Sequence, residues 1–245
     1  MSEHKKEDFI DFVRPIPVPR VIRTNAEPKP VQFDLSRTAL IVVDMQNDFL
    51  HPEGWFPARG SSADPILHCI PVVEKLTKLC RSNDVKVIWV NWGVRDDVAN
   101  LPHGVVQRGT AYDTKFPGYA EPSTTGKGKI LVKGDFGSKT IEQLTVAPED
   151  LTIHKHRLSG FWDNELDAVL RKLGVTTLLL AGVNTDRCVF STLQDASFIG
   201  YDCIMVDDAC GTPSPEYVIK AIKYLTNMLY GACTTYDDLE TAMKK

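Results

Sequence analysis

No stretch of this 245-residue sequence approaches the ~20 consecutive apolar residues needed to cross a bilayer. Its polar start, Met1-Ser2-Glu3-His4-Lys5-Lys6-Glu7-Asp8, lacks the hydrophobic segment of a secretory signal. Both absences lead to the expectation of a cytoplasmic protein without membrane contact. Basic charge is not in excess either: 28 Lys and Arg against 32 Asp and Glu give a net charge of -4, which argues against nucleic acid as a partner. Cysteine is sparse. Cys69, Cys80, Cys188, Cys203, Cys210 and Cys233 are too scattered for a disulfide scaffold, and no two are spaced C-x-x-C as a structural zinc site would have them. Neither a metal nor a cofactor is expected, and no internal repeat is evident. The remaining default is a small molecule bound by an ordinary globular chain.

The length suits one α/β domain. Residues 1–36, with Pro15, Pro17, Pro19, Pro28 and Pro30, read as an extended arm, and residues 37–245 as the domain. Such an arm buries little alone and either stays mobile or lies on a neighbouring surface, in keeping with a homo-oligomer, dimer or tetramer. In the domain, a short apolar run over 38–43 ends at Asp44 and predicts a buried strand. Helical spacing over 66–82 follows, with the regular helix starting near Ile70 because of Pro71. Strands are predicted over 86–90, 150–153, 176–181 and 203–206. Helices are predicted over 164–173, stopped by Gly174, over 187–200, and over 215–229. This alternation implies a three-layer α/β/α sandwich with a mostly parallel sheet. Ligands in such sheets bind beyond the carboxyl ends of strands, which places Asp44, Asn91, the Lys155 region, 184–188 and Asp207/Asp208 around one crevice. Residues 93–148 lack periodicity and read as a long insertion over it.

Three residues in that crevice invite chemistry, each with a plain alternative. Cys188 sits where an apolar strand gives way to a helix, so the helix dipole and free N–H groups are expected to lower its pKa. The alternative is a buried structural cysteine. Asp44, at a buried strand end, is either a carboxyl raised by desolvation and suited to acid/base work or a cap for the following turn. Lys155, within His154-Lys155-His156-Arg157, is either a solvated loop residue or the partner of a buried carboxylate. The two histidines have no third ligand at diagnostic spacing.

Taken together these segments resemble the isochorismatase-like cysteine hydrolase superfamily. The resemblance is carried by Ala39-Leu40-Ile41-Val42-Val43-Asp44-Met45-Gln46-Asn47-Asp48-Phe49, by Lys155-His156-Arg157-Leu158-Ser159-Gly160-Phe161, and by Gly182-Val183-Asn184-Thr185-Asp186-Arg187-Cys188-Val189. Asp195-Ala196, Gly200-Tyr201 and Asp207-Asp208-Ala209 also fit, so the likeness spans about residues 36 to 235. It implies a catalytic triad of Asp44, Lys155 and Cys188. It further implies a cis peptide at Val183-Asn184 and an oxyanion hole formed by the backbone N–H groups of Asn184 and Cys188, which would stabilise a tetrahedral intermediate.

Within the superfamily, members that cleave isochorismate do without the cysteine, and nicotinamidases carry an Asp-x-His metal motif missing from this sequence. Asn91-Trp92-Gly93 followed by a polar insertion is more similar to the branch holding ureidoacrylate amidohydrolase, biuret hydrolase and N-carbamoylsarcosine amidohydrolase. The resemblance therefore implies hydrolysis of a small linear ureido or carbamoyl amide through an acyl-thioester, releasing ammonia or carbamate. Gln46, Asn91, Arg157 and Trp162 are the residues expected to bind it, with Trp92 as a further wall. Two other readings stay open: an ether or ester hydrolase with Cys188 as bystander, and a catalytically silent binding member.

Overall fold

The structure, a computed structural model, describes residues 10, 12–111 and 116–244. Residues 1–9 and 11 of the expected arm and 112–115 of the expected insertion lie outside the described residues. In chain order the elements are β1 (Val21–Thr24), β2 (Val31–Asp34), β3 (Thr38–Val43), α1 (Asn47–Leu50), α2 (Trp55–Ala58), α3 (Asp64–Leu67), α4 (Cys69–Ser82) and β4 (Lys86–Trp92). They continue with α5 (His103–Ala111), β5 (Leu151–Lys155), α6 (Leu166–Leu173), β6 (Thr177–Val183), α7 (Phe190–Phe198), β7 (Asp202–Gly211), α8 (Glu216–Leu225), β8 (Gly231–Thr234) and α9 (Tyr236–Met243).

Six strands form one parallel sheet in the order β5-β4-β3-β6-β7-β8. The expected three-layer α/β/α architecture is what forms. β3 and β6 are apolar without alternation, Thr-Ala-Leu-Ile-Val-Val and Thr-Leu-Leu-Leu-Ala-Gly-Val, because helices cover both faces of the sheet and every residue of both strands is buried. The chain runs outward from β3 through β4 to β5, then returns to the other side of β3 to lay down β6. The point where the strand order reverses therefore falls between β3 and β6, and a crevice opens there beyond the strand ends.

Local signals set the helices. α4 buries Cys69, Val73, Leu76 and Cys80, one stripe at helical spacing. α6 stops at Gly174, which takes a left-handed φ of 71° and donates its N–H back to Arg171. The region 187–200 departs from the expected single helix: residues Thr185–Val189 form a π turn, and α7 follows it.

Three further differences matter. Half of the expected arm is a hairpin, in which β1 pairs antiparallel with β2, Glu27 bridges to Cys233 on β8, and Asn25 bonds Asp238 on α9. Phe33 and Leu35 join the core. β8 and α9 were not anticipated, since a second π turn over Thr226–Tyr230 blurs the end of α8 and β8 is only four residues long. The insertion over 93–148 holds α5 and a series of turns tied to the body by bridges at Gln46–Thr140 and Val94–Val132. Among the described residues no helix is long and apolar enough to cross a membrane.

Candidate active site

Asp44 follows β3 directly, with a left-handed φ of 50° that a non-glycine residue adopts at a cost. Asp is among the residues that tolerate it, and the bend turns the carboxylate across the top of the sheet. Oδ1 accepts the backbone N–H of Trp92 at 3.1 Å, and Oδ2 lies 2.9 Å from Nζ of Lys155, the last residue of β5. Lys155 is fully buried and Asp44 nearly so. The ammonium also donates to the Arg157 carbonyl at 2.9 Å and sits 4.1 Å from the centre of the Trp92 ring, so its charge is met on several sides.

Cys188 completes the group. Its thiol lies beside the Asp44 carboxyl and the Trp92 side chain, within electrostatic reach of Lys155. β6 delivers it through Gly182, cis Val183-Asn184 and the π turn. Gly182 has φ 114°, and a Cβ there would stand 2.1 Å from the Val43 carbonyl oxygen, so only glycine lets β6 lie this close to β3. The Asn184 carbonyl accepts from the N–H groups of Arg187 and Val189, the second being the i→i+5 bond of a π turn, instead of from Cys188 as an α-helix would have it. Asp186 accepts hydroxyls from Thr212 at 2.5 Å and Ser214 at 2.8 Å, pinning the turn to the end of β7.

Burial governs the protonation of this cluster. It raises the Asp44 carboxyl above the ordinary carboxylate range, with the Lys155 charge working in the opposite direction. Cys188 is pushed up to about 12 by burial and then by the Asp44 charge, with Lys155 opposing. This corrects the expectation of a thiol acidified by a helix N-terminus. Full desolvation beside a carboxylate outweighs a dipole that begins in a π turn, so the resting sulfur is a neutral thiol.

Cys188 and Asn184 open into a cavity of about 720 Å³ walled by Phe49, Trp55, Phe56, Trp92 and Tyr119, with Val105 and Leu131 of the insertion, and with Arg59 and Arg187. Tyr119 stacks on Trp92 at 5.3 Å. Asp48 shapes this wall, accepting the N–H of Trp55 at 3.1 Å and of Leu131 at 2.7 Å, and burial lifts its pKa to about 6.

The structure thus brings Asp44, Lys155, Cys188 and Asn184 together, with Trp92 in the wall, and places the other anticipated residues elsewhere. Gln46 is fully buried, its amide spent on Trp92 N–H, Trp92 C=O and Ser138 C=O, so it braces β4 and the insertion. Asn91 is buried against Thr140 and does not line the cavity. Arg157 is pinned by Asn100 C=O, His156 C=O and Asp163, and with Trp162, which is exposed and donates to Asp195, it lines an open groove on the far side of Leu158. Asp207 pairs with Lys223 on α8 and Asp208 accepts the Tyr236 N–H at the start of α9, so neither reaches the crevice. Sequence reasoning missed Arg59 and Tyr119, which lie in segments without periodic signal. It also passed over Arg187, although that residue adjoins Cys188. No cluster of three or more metal-ligating side chains occurs among the described residues.

The chain belongs to the isochorismatase family, whose domain matches residues 38–237. A protein from Caulobacter segnis named ureidoacrylate amidohydrolase RutB is 30% identical over 222 residues, 91% of this chain and 92% of that protein. One of the same name from Azorhizobium caulinodans is 30% identical over 222 residues, covering 89% and 95%. Among solved structures, a cysteine hydrolase from Pseudomonas syringae superposes with a TM-score of 0.71 at 24% identity, covering 86% of this chain and 94% of that one. N-carbamoylsarcosine amidase from Thermoplasma acidophilum does so with 0.62 at 24% identity, covering 82% and 97%. These two superpositions speak to the fold.

Proposed function

We propose that this isochorismatase-family chain is a cysteine-dependent amidohydrolase that cleaves a C–N bond of a small ureido or carbamoyl amide through an acyl-thioester on Cys188. The observation that carries this reading is the buried Asp44–Lys155 pair, 2.9 Å apart, set beside the Cys188 thiol that lines the cavity. A thiol near 12 is a poor nucleophile until a base removes its proton, and Asp44 is the base in contact with it. As the sulfur attacks the amide carbonyl, Asp44 takes the proton. When the tetrahedral intermediate collapses, the C–N bond breaks and Asp44 passes the proton to the departing nitrogen. Water then adds to the thioester with Asp44 again accepting a proton, the C–S bond breaks, and the thiol is restored. Amide plus water gives acid or carbamate plus amine or ammonia.

Lys155 holds Asp44 charged and steadies the transient thiolate. The N–H groups of Asn184 and Cys188 are assigned to the developing oxyanion, a role suited to a π turn that leaves the Cys188 N–H out of the bond to the Asn184 carbonyl. Asn184 Oδ1 is buried in the cavity wall without a partner among the described residues, an acceptor suited to a carbamoyl N–H. The ureido class is further supported by the names of the two 30%-identical relatives. The placement of the Asp44–Lys155 pair beside Cys188 weighs against readings in which the cysteine is a bystander.

The test is ammonia release over a panel of small ureas and carboxamides, with intact-protein mass spectrometry after rapid quench. Wild type is expected to turn over at least one of them and to show an acyl adduct, and Cys188→Ala to lose both. Full activity in Cys188→Ala would overturn the proposal.

A further inference from the structure

We propose that Arg59 and Arg187 form a carboxylate-binding pair in the Cys188 cavity, so that the preferred substrate is a ureido or carbamoyl amide bearing an acid group away from the scissile bond. The proposal rests on the amidohydrolase reading and narrows it. Both guanidinium groups line the cavity, and among the described residues no Asp or Glu does. Asp44 lies beneath it, already matched by Lys155. In a chain with a net charge of -4, the cavity is therefore a positive pocket that concentrates an anion.

Among the described residues the Arg59 guanidinium has no anionic partner, and that of Arg187 is only loosely paired. The Arg59 group lies 5.0 Å over the Trp55 ring and 5.9 Å from that of Phe116, and among the described residues it makes no hydrogen bond or ion pair. Trp55 is itself fixed through its indole N–H to the Pro117 carbonyl at 2.8 Å, so the arginine plane rests on a held surface with its donors free. Arg187 immediately precedes Cys188 on the π turn. Its Nε lies 3.8 Å from an Asp186 oxygen already bonded to Ser214, a loose ion pair too long for a hydrogen bond, and the side chain lines the cavity while 43% exposed.

Tyr119 lines the same cavity as the thiol and both arginines. Its half-buried ring lies within electrostatic reach of Cys188 and Asp44 and, more weakly, of Arg59 and Arg187. A short substrate lying along the stacked Tyr119 and Trp92 rings thus reaches the thiol while its acid group meets guanidinium groups lining the same cavity. Neutral ureas such as biuret leave the Arg59 guanidinium without an anionic partner.

The experiment compares kcat/KM for ammonia release from 3-ureidoacrylate and 3-ureidopropionate with that from the neutral propylurea and biuret, in wild type, Arg59→Gln, Arg187→Gln and Arg187→Lys. A charged hydrogen-bonding partner is commonly worth about tenfold to a hundredfold, so wild type is expected to favour the acids over propylurea by that factor. Each Gln variant is expected to lower that preference about tenfold, the loss falling mainly on KM, with Arg187→Lys recovering part of it. Cys188-dependent turnover that favours the neutral ureas, or an acid preference unchanged in both Gln variants, overturns the carboxylate pair and leaves the amidohydrolase reading standing. Absence of turnover on every amide overturns both.

Discussion

Cys188 and Asp44 illustrate how burial can reverse what a residue's sequence neighbourhood suggests. A thiol at a strand-to-helix junction reads as acidified, yet its surroundings hold it near 12 and make the chemistry depend on a carboxyl raised in turn by the same desolvation. The pH dependence follows from the sign of the Asp44 shift. The ionised carboxylate is the active base, so kcat/KM should climb with pH through a midpoint above the ~4 of a free aspartate, and a pH–rate profile reads it. A limb at or below that value would mean that a different group sets the rate. Lys155 supports a second prediction. Lys155→Met leaves a nearly fully buried carboxylate without its counter-charge, which should destabilise the fold by about 3–5 kcal/mol in urea denaturation and remove activity. Asp44, Lys155 and Cys188 were legible because each lies at or just beyond the end of a recognisable strand within a distinctive motif. Gln46 and Arg157 misled because their side chains carry suitable donors, and only three-dimensional contacts reveal that those donors are already committed.

Elements put these residues in reach of one another. β3, β5 and β6 end at the same edge of the sheet, and the reversal of strand order between β3 and β6 opens the space that Asp44 and Cys188 share. Gly182 is the tightest point of that arrangement, paired in register with Val43 and filling the place where a side chain would meet its carbonyl. Gly182→Ala should cost about 3 kcal/mol or more, read from a denaturation midpoint, and should lower turnover by displacing the turn that carries Cys188. A shift below about 1 kcal/mol would show that β6 has room to move. Long apolar strands and the helix ending at Gly174 could be read from pattern. The π turn over Thr185–Val189 could not, because its sequence suits an ordinary first helical turn and the extra residue is set by tertiary anchors, Thr212 and Ser214 on Asp186 and Thr192 on the Cys188 carbonyl.

In the whole molecule the two ends of the chain meet beside β8, an outer strand of the sheet. The hairpin of β1 and β2 docks on β8 and α9, so part of the segment read as an extended arm, either mobile or lying on another surface, packs on the body of its own chain. Its exposed start, with Phe12, Ile16 and Val18 more than four-fifths exposed, contrasts with buried Thr24 and Phe33. Deleting residues 1–18 should therefore change stability by less than about 1 kcal/mol, whereas deleting residues 1–34 should cost about 3 kcal/mol or more, as loss of a buried aromatic does. Equal urea midpoints for the two truncations would refute the docked hairpin. The insertion of residues 93–148 likewise has no periodic signature, because its order comes from contacts such as Leu131 N–H on Asp48 and the bridge of Val94 to Val132. The sequence by itself determined the parallel α/β architecture, the family, and the three residues grouped at the strand ends, since apolar periodicity and short motifs are local properties of the chain. Tertiary structure alone decided the protonation of the thiol, the placement of Gln46 and Arg157 outside the cavity, and the entry of Arg59, Tyr119 and Arg187 into it. Burial and the directions of side chains drawn from distant segments exist only once the chain is folded.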